Sequence, residues 1–358
     1  MLKKIEIFLR KVILELLLVF ARNKNRSRPT LERGDKILVI RLNRIGDALV
    51  TTPLISVLSR YGNFEVSVLA DSKNRFIFEN NPSVKKIFVF EKGLKGFRKT
   101  IKELNKQNFA LVIDAHPDVS TTVSFIISSL KNTFKIGFKK GNEKIYSDTI
   151  PPLPKEKYHI IERLLQFADY LHVNYPKNTV NVEYPLDKAN LDSIEKTLKE
   201  INPQNKFLVG VNISAGSEAR FWGTENFRKL LDLIKEKNVE FVLLCAPSDS
   251  EKALEILAEK EHLFVTENFN KFASMISKLD LLFTPDTSVV HLASAYEVPL
   301  FGIYVKFKTT EKEWFPFRSD YEIVTTYEPN FKNLSFESVR IKFEKFLEKK
   351  LNEHNSRL

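Results

Sequence analysis

Hydrophobic positions along the chain fall into short β-branched and aromatic runs, and amphipathic stretches separate them. Lys36–Arg41 (KILVIR), Phe64–Ala70 (FEVSVLA), Lys85–Phe90 (KKIFVF) and Phe109–Asp114 (FALVID) are such runs, and they suit parallel strands covered on both faces. Between and after them, Ala48–Arg60, Ser72–Asn80, Phe97–Gln107, Val119–Leu130 and Ile160–Leu171 repeat apolar residues at helical spacing. Pro53 is accommodated near the start of the first of these helices. Phe134–Gly137 adds a short strand. A polar stretch over about 172–205 follows, holding a short Val180–Tyr184 strand and a Leu186–Glu200 helix. The alternation then restarts. Strands are predicted at Phe207–Ile213, Phe241–Cys245, Leu263–Val265, Leu281–Thr284 and Pro299–Tyr304. Helices are predicted at Thr224–Lys237, Ser250–Lys260, Asn270–Leu279 and Ser288–Tyr296, with a basic amphipathic helix, Ser335–Leu351, near the end.

Strict strand–helix alternation predicts the α/β class, a mostly parallel sheet with helices on both faces. The chain has 358 residues, beyond the ~250–300 at which one core tends to divide. The expected organisation is an N-terminal segment at 1–30, one doubly wound domain at 31–178 and a second at 179–358. Two such domains in tandem place a ligand cleft between them.

Charge alters the picture only at the N-terminus. Of a formal net charge of +11, residues 1–30 supply +6: Lys3, Lys4, Arg10, Lys11, Arg22, Lys24, Arg26 and Arg28 against Glu6 and Glu15. In the same segment Ile5, Phe8, Leu9, Val12, Ile13, Leu16, Leu17 and Phe20 recur at helical spacing. The uninterrupted apolar run, Leu16–Ala21, is far shorter than the ~20 residues of a spanning helix. An in-plane amphipathic helix on an anionic membrane surface is expected; a helix packed on protein is the other reading. The single cysteine, Cys245, excludes an intrachain disulfide and a cysteine-based zinc cluster. No GxGxxG follows the first strand and no GxxxxGK[ST] occurs, which removes the fingerprints of dinucleotide oxidoreductases and P-loop ATPases. No basic groove interleaved with aromatics points to nucleic acid, and no ligand spacing calls for a dedicated metal.

Three segments carry candidate chemistry: Arg41–Ile55 (RLNRIGDALVTTPLI), Asn212–Ile234 (NISAGSEARFWGTENFRKLLDLI) and Asp280–Tyr304 (DLLFTPDTSVVHLASAYEVPLFGIY). Gly46–Asp47 with Thr51–Pro53, Ser214–Ser217 with Arg220 and Trp222, and Asp286–Thr287 with His291–Ala293 occur in order. In this the chain resembles glycosyltransferase family 9, the bacterial lipopolysaccharide heptosyltransferases, over roughly residues 36–350.

The resemblance implies a fold of GT-B type, two Rossmann-like domains facing a central cleft, with the acceptor on the first and the nucleotide sugar on the second. It implies an inverting transferase moving heptose from an ADP-sugar to a lipopolysaccharide core or related glycolipid. Such an enzyme works on the cytoplasmic side, peripheral to the inner membrane, with no cofactor beyond its nucleotide-sugar substrate. Asp47 matches the family's proposed base, which takes the acceptor hydroxyl's proton; an N-cap for the following helix is its structural alternative. Arg220 stands where the family often has Lys, and a fixed cation there stabilises the departing diphosphate. Ser214, Ser217, Asp286, Thr287 and His291 are the donor-side candidates, and Glu251 is matched to the nucleoside ribose. Arg44, His116 and Asp118 are the acceptor-side candidates, with a capped turn as the other reading of the last two. One departure stands out: the family's Gly-Pro-Thr or Gly-Pro-Ser turn after the last motif strand is Val305-Lys306-Phe307-Lys308 here. Two further functions are compatible with such a fold, a two-domain sugar-nucleotide epimerase without NAD and a non-catalytic glycan-binding or scaffold protein. Release of free nucleotide without transfer marks the first, and nucleotide binding without turnover the second.

Overall fold

A computed structural model describes residues 12–19, 28–42, 44–257, 260–309 and 311–357. The chain divides into two compact units, the first ending at Tyr184 and the second beginning at Pro185.

In the first unit the buried runs become β1 (Lys36–Arg41), β2 (Glu65–Asp71), β3 (Lys86–Phe90), β4 (Leu111–Asp114), β5 (Phe134–Phe138) and β6 (Asp148–Ile150). They form one sheet in the order β3-β2-β1-β4-β5-β6, every pair parallel. The helices are α1 (Ile45–Leu49), α2 (Thr52–Arg60), α3 (Gly93–Asn105), α4 (Thr121–Ser129) and α5 (Ile160–Tyr170). The second unit has β7 (Leu208–Asn212), β8 (Glu240–Cys245), β9 (Leu263–Val265), β10 (Leu281–Pro285), β11 (Leu300–Val305) and β12 (Tyr321–Thr326), in the order β12-β11-β10-β7-β8-β9, again all parallel. Its helices are α6 (Lys188–Ile201), α7 (Thr224–Lys235), α8 (Ser250–Ile256), α9 (Phe269–Ile276), α10 (Val289–Ala295) and α11 (Phe336–Asn355).

Counted from its own first strand, each sheet has the same order, and the winding reverses between its first and fourth strands. Loops leaving the carboxyl ends of those two strands part there and leave a crevice, the usual ligand position in open α/β sheets. The pairs are β1 with β4 and β7 with β10. All three motif segments begin at or cross the end of one of these strands.

Local chemistry explains where the elements depart from expectation. The helix expected over Ala48–Arg60 is two helices, broken at Val50–Thr51. Pro53 has no N–H to donate back to Leu49, and the Thr52 hydroxyl takes the Leu49 carbonyl instead, at 2.7 Å. The helix expected at Ser72–Asn80 shrinks to a single turn at Arg75–Ile77. Asp71 and Asn81 side chains capture nearby backbone N–H groups there, as Asx turns do. Residues 180–184 pair with no strand. Val180, Val182 and Tyr184 are buried, while Glu183 meets Arg60 at 2.8 Å and its N–H bonds the Thr52 hydroxyl. Two edge strands were not expected: β6 is only three residues long, and β12 is largely half-exposed and lacks a buried run.

The second core is aromatic and has a consequence for the site. Phe283 on β10 stacks on Trp222 at 5.6 Å and on Phe301 at 5.5 Å, and Phe343 of α11 meets it edge-on at 5.6 Å. The buried Trp222 indole N–H donates to the Leu334 carbonyl at 2.8 Å. Two residues after Arg220, the chain is therefore pinned into the core.

The N-terminal segment is described at 12–19, which is helical, and again from residue 28. Leu18 packs against the first unit's core, whereas Ile13, Leu16 and Val19 are exposed. Ile5, Phe8, Leu9 and Phe20 of the expected apolar face, and its cations other than Arg28, lie outside the described residues. Arg28 is engaged on the protein: its guanidinium lies 4.2 Å over the Tyr170 ring and donates to the Tyr170 carbonyl. Among the described residues no helix is long and apolar enough to cross a membrane.

Candidate functional site

In the first unit the loop after β1 places Asp47 as the third residue of α1, with Arg44 at the N-cap position. Asp47 is thus not the cap that its sequence setting also allowed. Arg41, the fully buried last residue of β1, turns its guanidinium back on it. Arg41 Nε donates to the Asp47 carbonyl at 3.1 Å, Nη2 to Asp47 Oδ1 and Nη1 to the Ala115 carbonyl. The Thr51 hydroxyl adds a 2.7 Å bond to the same Asp47 carbonyl. The Asp47 side chain is 16% exposed. Its Oδ2 accepts no hydrogen bond among the described residues. A carboxylate held in one orientation with one oxygen unengaged can take a proton from a bound hydroxyl.

The loop after β4 is built on a buried polar cluster. Asp114 Oδ1 accepts from the His116 backbone N–H at 3.1 Å and is 2.7 Å from His116 Nδ1. Asp114 Oδ2 accepts from Lys140 Nζ at 2.8 Å and from the Tyr146 hydroxyl at 2.5 Å. Burial pushes the Asp114 carboxyl up, but Lys140 and His116 outweigh it and hold the group far below the usual carboxylate range. Burial disfavours protonated His116, and the nearby Arg41 and Lys140 cations add to it; against the pull of Asp114 they leave the ring's pKa below its ordinary value. The other ring nitrogen, Nε2, accepts from the Leu42 N–H at 3.1 Å.

This corrects the expectation that His116 contacts the acceptor, because the ring is 1% exposed and both its nitrogens are engaged inside the protein. Arg44 and Asp118 are exposed, and neither side chain has a polar partner among the described residues. Arg41, Asp114, Lys140 and Tyr146 were not singled out from the sequence. An arginine or aspartate closing a buried apolar run, as in KILVIR and FALVID, was the available signal.

In the second unit the end of β7 is tied to its neighbours. Asn212 Nδ2 donates to the Thr284 hydroxyl on β10 at 2.9 Å. The Ser214 hydroxyl donates to Asp249 Oδ2 at 2.6 Å and accepts the Ala246 N–H at 2.8 Å. Ser214 therefore joins the loops after β7 and β8, and it is half-buried. Ser217 and Glu251 are exposed, Ser217 opening the Glu218–Arg220 turn and Glu251 lying in the first turn of α8.

Arg220 and Asp286 are brought together across the switch point. Arg220 Nη1 donates to the Asp286 carbonyl at 2.9 Å, and Nη2 lies 3.4 Å from Asp286 Oδ2. Burial raises the Asp286 pKa, with Arg220 and then Lys306 pulling against it. Thr287 is half-buried, and its hydroxyl accepts the Val289 N–H at 3.3 Å, at the start of α10. His291 is buried on that helix, its ring 5.9 Å from Trp314. Lys306, in the segment that departs from the family turn, has its ammonium 3.9 Å over the Phe315 ring. Burial and then Lys312 lower its pKa. Arg220 and Lys306 thus place two cations by one loop, an arrangement suited to a diphosphate. Among the described residues no group of three or more metal-ligating side chains occurs.

Comparison with known proteins fits this geometry. The Lipopolysaccharide heptosyltransferase 3 of Escherichia coli K12 is 24% identical over 277 residues, covering 72% of this chain and 79% of that protein. A glycosyl transferase family 9 structure from Veillonella parvula superposes with a TM-score of 0.74 at 17% identity, covering 90% of this chain and all of that one. The E. coli heptosyltransferase WaaC with ADP gives 0.66 at 16% identity, covering 88% and 99%. At such identities the structures speak for the fold, which is of GT-B type. The family model described as glycosyltransferase family 9 (heptosyltransferase) matches residues 97–342, well over half of the sequence. The chain belongs to glycosyltransferase family 9 and is a sugar-transferring enzyme.

Proposed function

We propose that the protein is an inverting heptosyltransferase that moves heptose from an ADP-sugar to a lipopolysaccharide core or a related glycolipid. The observation that carries this reading is the Arg220–Asp286 pair at the β7/β10 switch point, with Lys306 beside it. Asp47 Oδ2 takes the proton of the acceptor hydroxyl as that oxygen attacks the anomeric carbon from the face opposite the diphosphate. The bond from that carbon to the diphosphate oxygen breaks, and the departing nucleoside diphosphate gathers the negative charge. Arg220 and Lys306 stabilise that charge. Asp286 accepts from hydroxyls of the donor sugar, because a carboxylate repels phosphate. Ser217, Thr287 and the exposed Glu251 contact the nucleotide side, whereas Ser214 and His291 shape the loops from within. Arg44 and Asp118 meet the acceptor.

Calorimetry with ADP, UDP and GDP tests the donor class: ADP is expected to bind best, and failure of all three would remove the nucleoside-diphosphate-sugar donor. Arg220→Ala is expected to lower kcat by about 10²–10³-fold, with Arg220→Lys restoring much of it. Equal kcat in wild type and Arg220→Ala overturns the role.

The acceptor class gives the exposed apolar stripe of residues 12–19 a purpose. Ile13, Leu16 and Val19 enter the headgroup region of an anionic membrane on its cytoplasmic side while Leu18 seats the helix on the first unit. Leu16→Glu in the full chain should cut co-sedimentation with anionic vesicles severalfold. Unchanged co-sedimentation of this variant would show that the stripe does not touch lipid.

A further inference from the structure

We infer that His116 is a positioning residue for the transfer, whose neutral ring ties the loop carrying Asp47 to the end of β4. The inference rests on Asp47 as the base, but the contacts that carry it do not. Leu42 follows Arg41 directly and opens the loop that leads to Asp47. Its N–H donates to His116 Nε2 at 3.1 Å. A ring nitrogen that accepts carries no proton, so the proton of the neutral ring sits on Nδ1 and is donated to Asp114 Oδ1 at 2.7 Å.

Asp114 cannot turn away from this bond. Its other oxygen is held by Lys140 and Tyr146, and Lys140 Nζ also donates to the His116 carbonyl at 2.6 Å. Tyr146 is itself seated against Gly137, where a Cβ would come within 2.6 Å of the tyrosine ring. Side chains from β5 onward therefore fix Asp114, Asp114 fixes the tautomer and angle of His116, and His116 fixes Leu42. Arg41 makes the second tie, from Asp47 to the Ala115 carbonyl.

The arrangement works in one protonation state. A second proton would put an N–H on Nε2 against the N–H of Leu42, turning a hydrogen bond into donor facing donor. It would also set a cation among Arg41 from β1 and Lys140 from the segment after β5. Asp114 from β4 and, beyond Arg41, Asp47 from α1 are the carboxylates that face this group, and the Tyr146 hydroxyl is neutral. Acid therefore releases the loop, and Asp47 loses its placement. Misplacement of a reacting group by about 1 Å costs on the order of 10²-fold in rate.

Two variants of the full-length enzyme test this. His116→Gln keeps an oxygen to accept from Leu42 and an N–H for Asp114, but it does not titrate. Its kcat at neutral pH should stay near wild type, while the acid limb of the kcat–pH profile moves down by a pH unit or more. His116→Ala should lower kcat about 10–100-fold with ADP affinity unchanged. Hydrogen exchange of the Leu42 amide should speed up about tenfold in His116→Ala and stay slow in His116→Gln. An acid limb unmoved in His116→Gln, or a Leu42 amide as protected in His116→Ala as in wild type, overturns the inference. If His116→Ala does not fold, His116→Gln decides alone. Failure of the Asp47 reading shows differently: Asp47→Asn would keep its turnover while the exchange pattern of the His116 variants stood.

Discussion

Asp47→Asn is expected to lower kcat by about 10²–10⁴-fold, the usual contribution of a positioned general base. ADP affinity should be nearly unchanged. Asparagine keeps the volume of the side chain and an oxygen for Arg41 Nη2, so the clamp from Arg41 through the Asp47 carbonyl to Ala115 persists. What disappears is the ability of the second oxygen to take a proton. Both Asp47→Asn and Asp47→Ala leave the fully buried Arg41 without its carboxylate, at a cost to stability of up to ~3–5 kcal/mol; Asp47→Ala is the poorer probe because it also removes the oxygen that accepts from Arg41 Nη2. The measurement is kcat at saturating donor and acceptor, paired with calorimetric ADP binding. Near-wild-type kcat would leave Asp47 as a structural partner of Arg41 and send the search for the base elsewhere.

The largest effect on stability is expected at Asp114. Its carboxylate accepts from Lys140, Tyr146 and both the backbone and ring N–H of His116. Asp114→Ala leaves a nearly buried ammonium unpaired and should destabilise the first unit by about 3–5 kcal/mol in denaturant titrations near neutral pH. The same group gives acid unfolding a defined sign. Its folded pKa lies well below the ordinary 3.8, so its contribution is fully present above that value. It is lost as the pH falls below 3.8 toward the folded pKa, because the unfolded chain takes up the proton first. His116 adds an earlier limb of the same sign. With a folded pKa below 6.5, the unfolded state binds the proton first, and stability falls as pH drops below 6.5 toward the folded value. Stability measured from pH 7 to pH 3 should decline in both windows for the wild type, and in Asp114→Ala the decline below 3.8 should be shallower, with Glu143, Asp187 and Asp320 among the carboxylates that still contribute there. Parallel curves for the two proteins would mean that Asp114 is not ionised in the folded state.

The two predictions concern neighbours in one buried network, and they separate function from support. Asp47 holds Arg41 with one oxygen, and on the proposed mechanism takes the proton with the other. Asp114 faces only the protein. The Arg220–Asp286 pair in the second unit is built the same way, on a loop that Trp222 pins into an aromatic core two residues later.

The sequence by itself was enough for the α/β class, the restart of the alternation in a second unit, and the family motifs at the strand ends. Those follow from local rules. Buried parallel strands need unbroken apolar runs, amphipathic helices need their spacing, and family motifs such as Gly46–Asp47 and Asp286–Thr287 are short and contiguous. Pro53 was visible, but whether it would sit in a first turn or split a helix depended on the Thr52 hydroxyl finding the Leu49 carbonyl. The roles of His116 and Ser214 were not legible for a deeper reason. A polar side chain near the end of a strand can face a ligand or a neighbouring loop, and sequence spacing is the same in both cases. Only the tertiary structure decided it, by bringing residues 42 and 116, or 214 and 249, within hydrogen-bond distance. Buried polar groups must be paired, and folding supplied the partners of the His116 ring from the ends of β1 and β4.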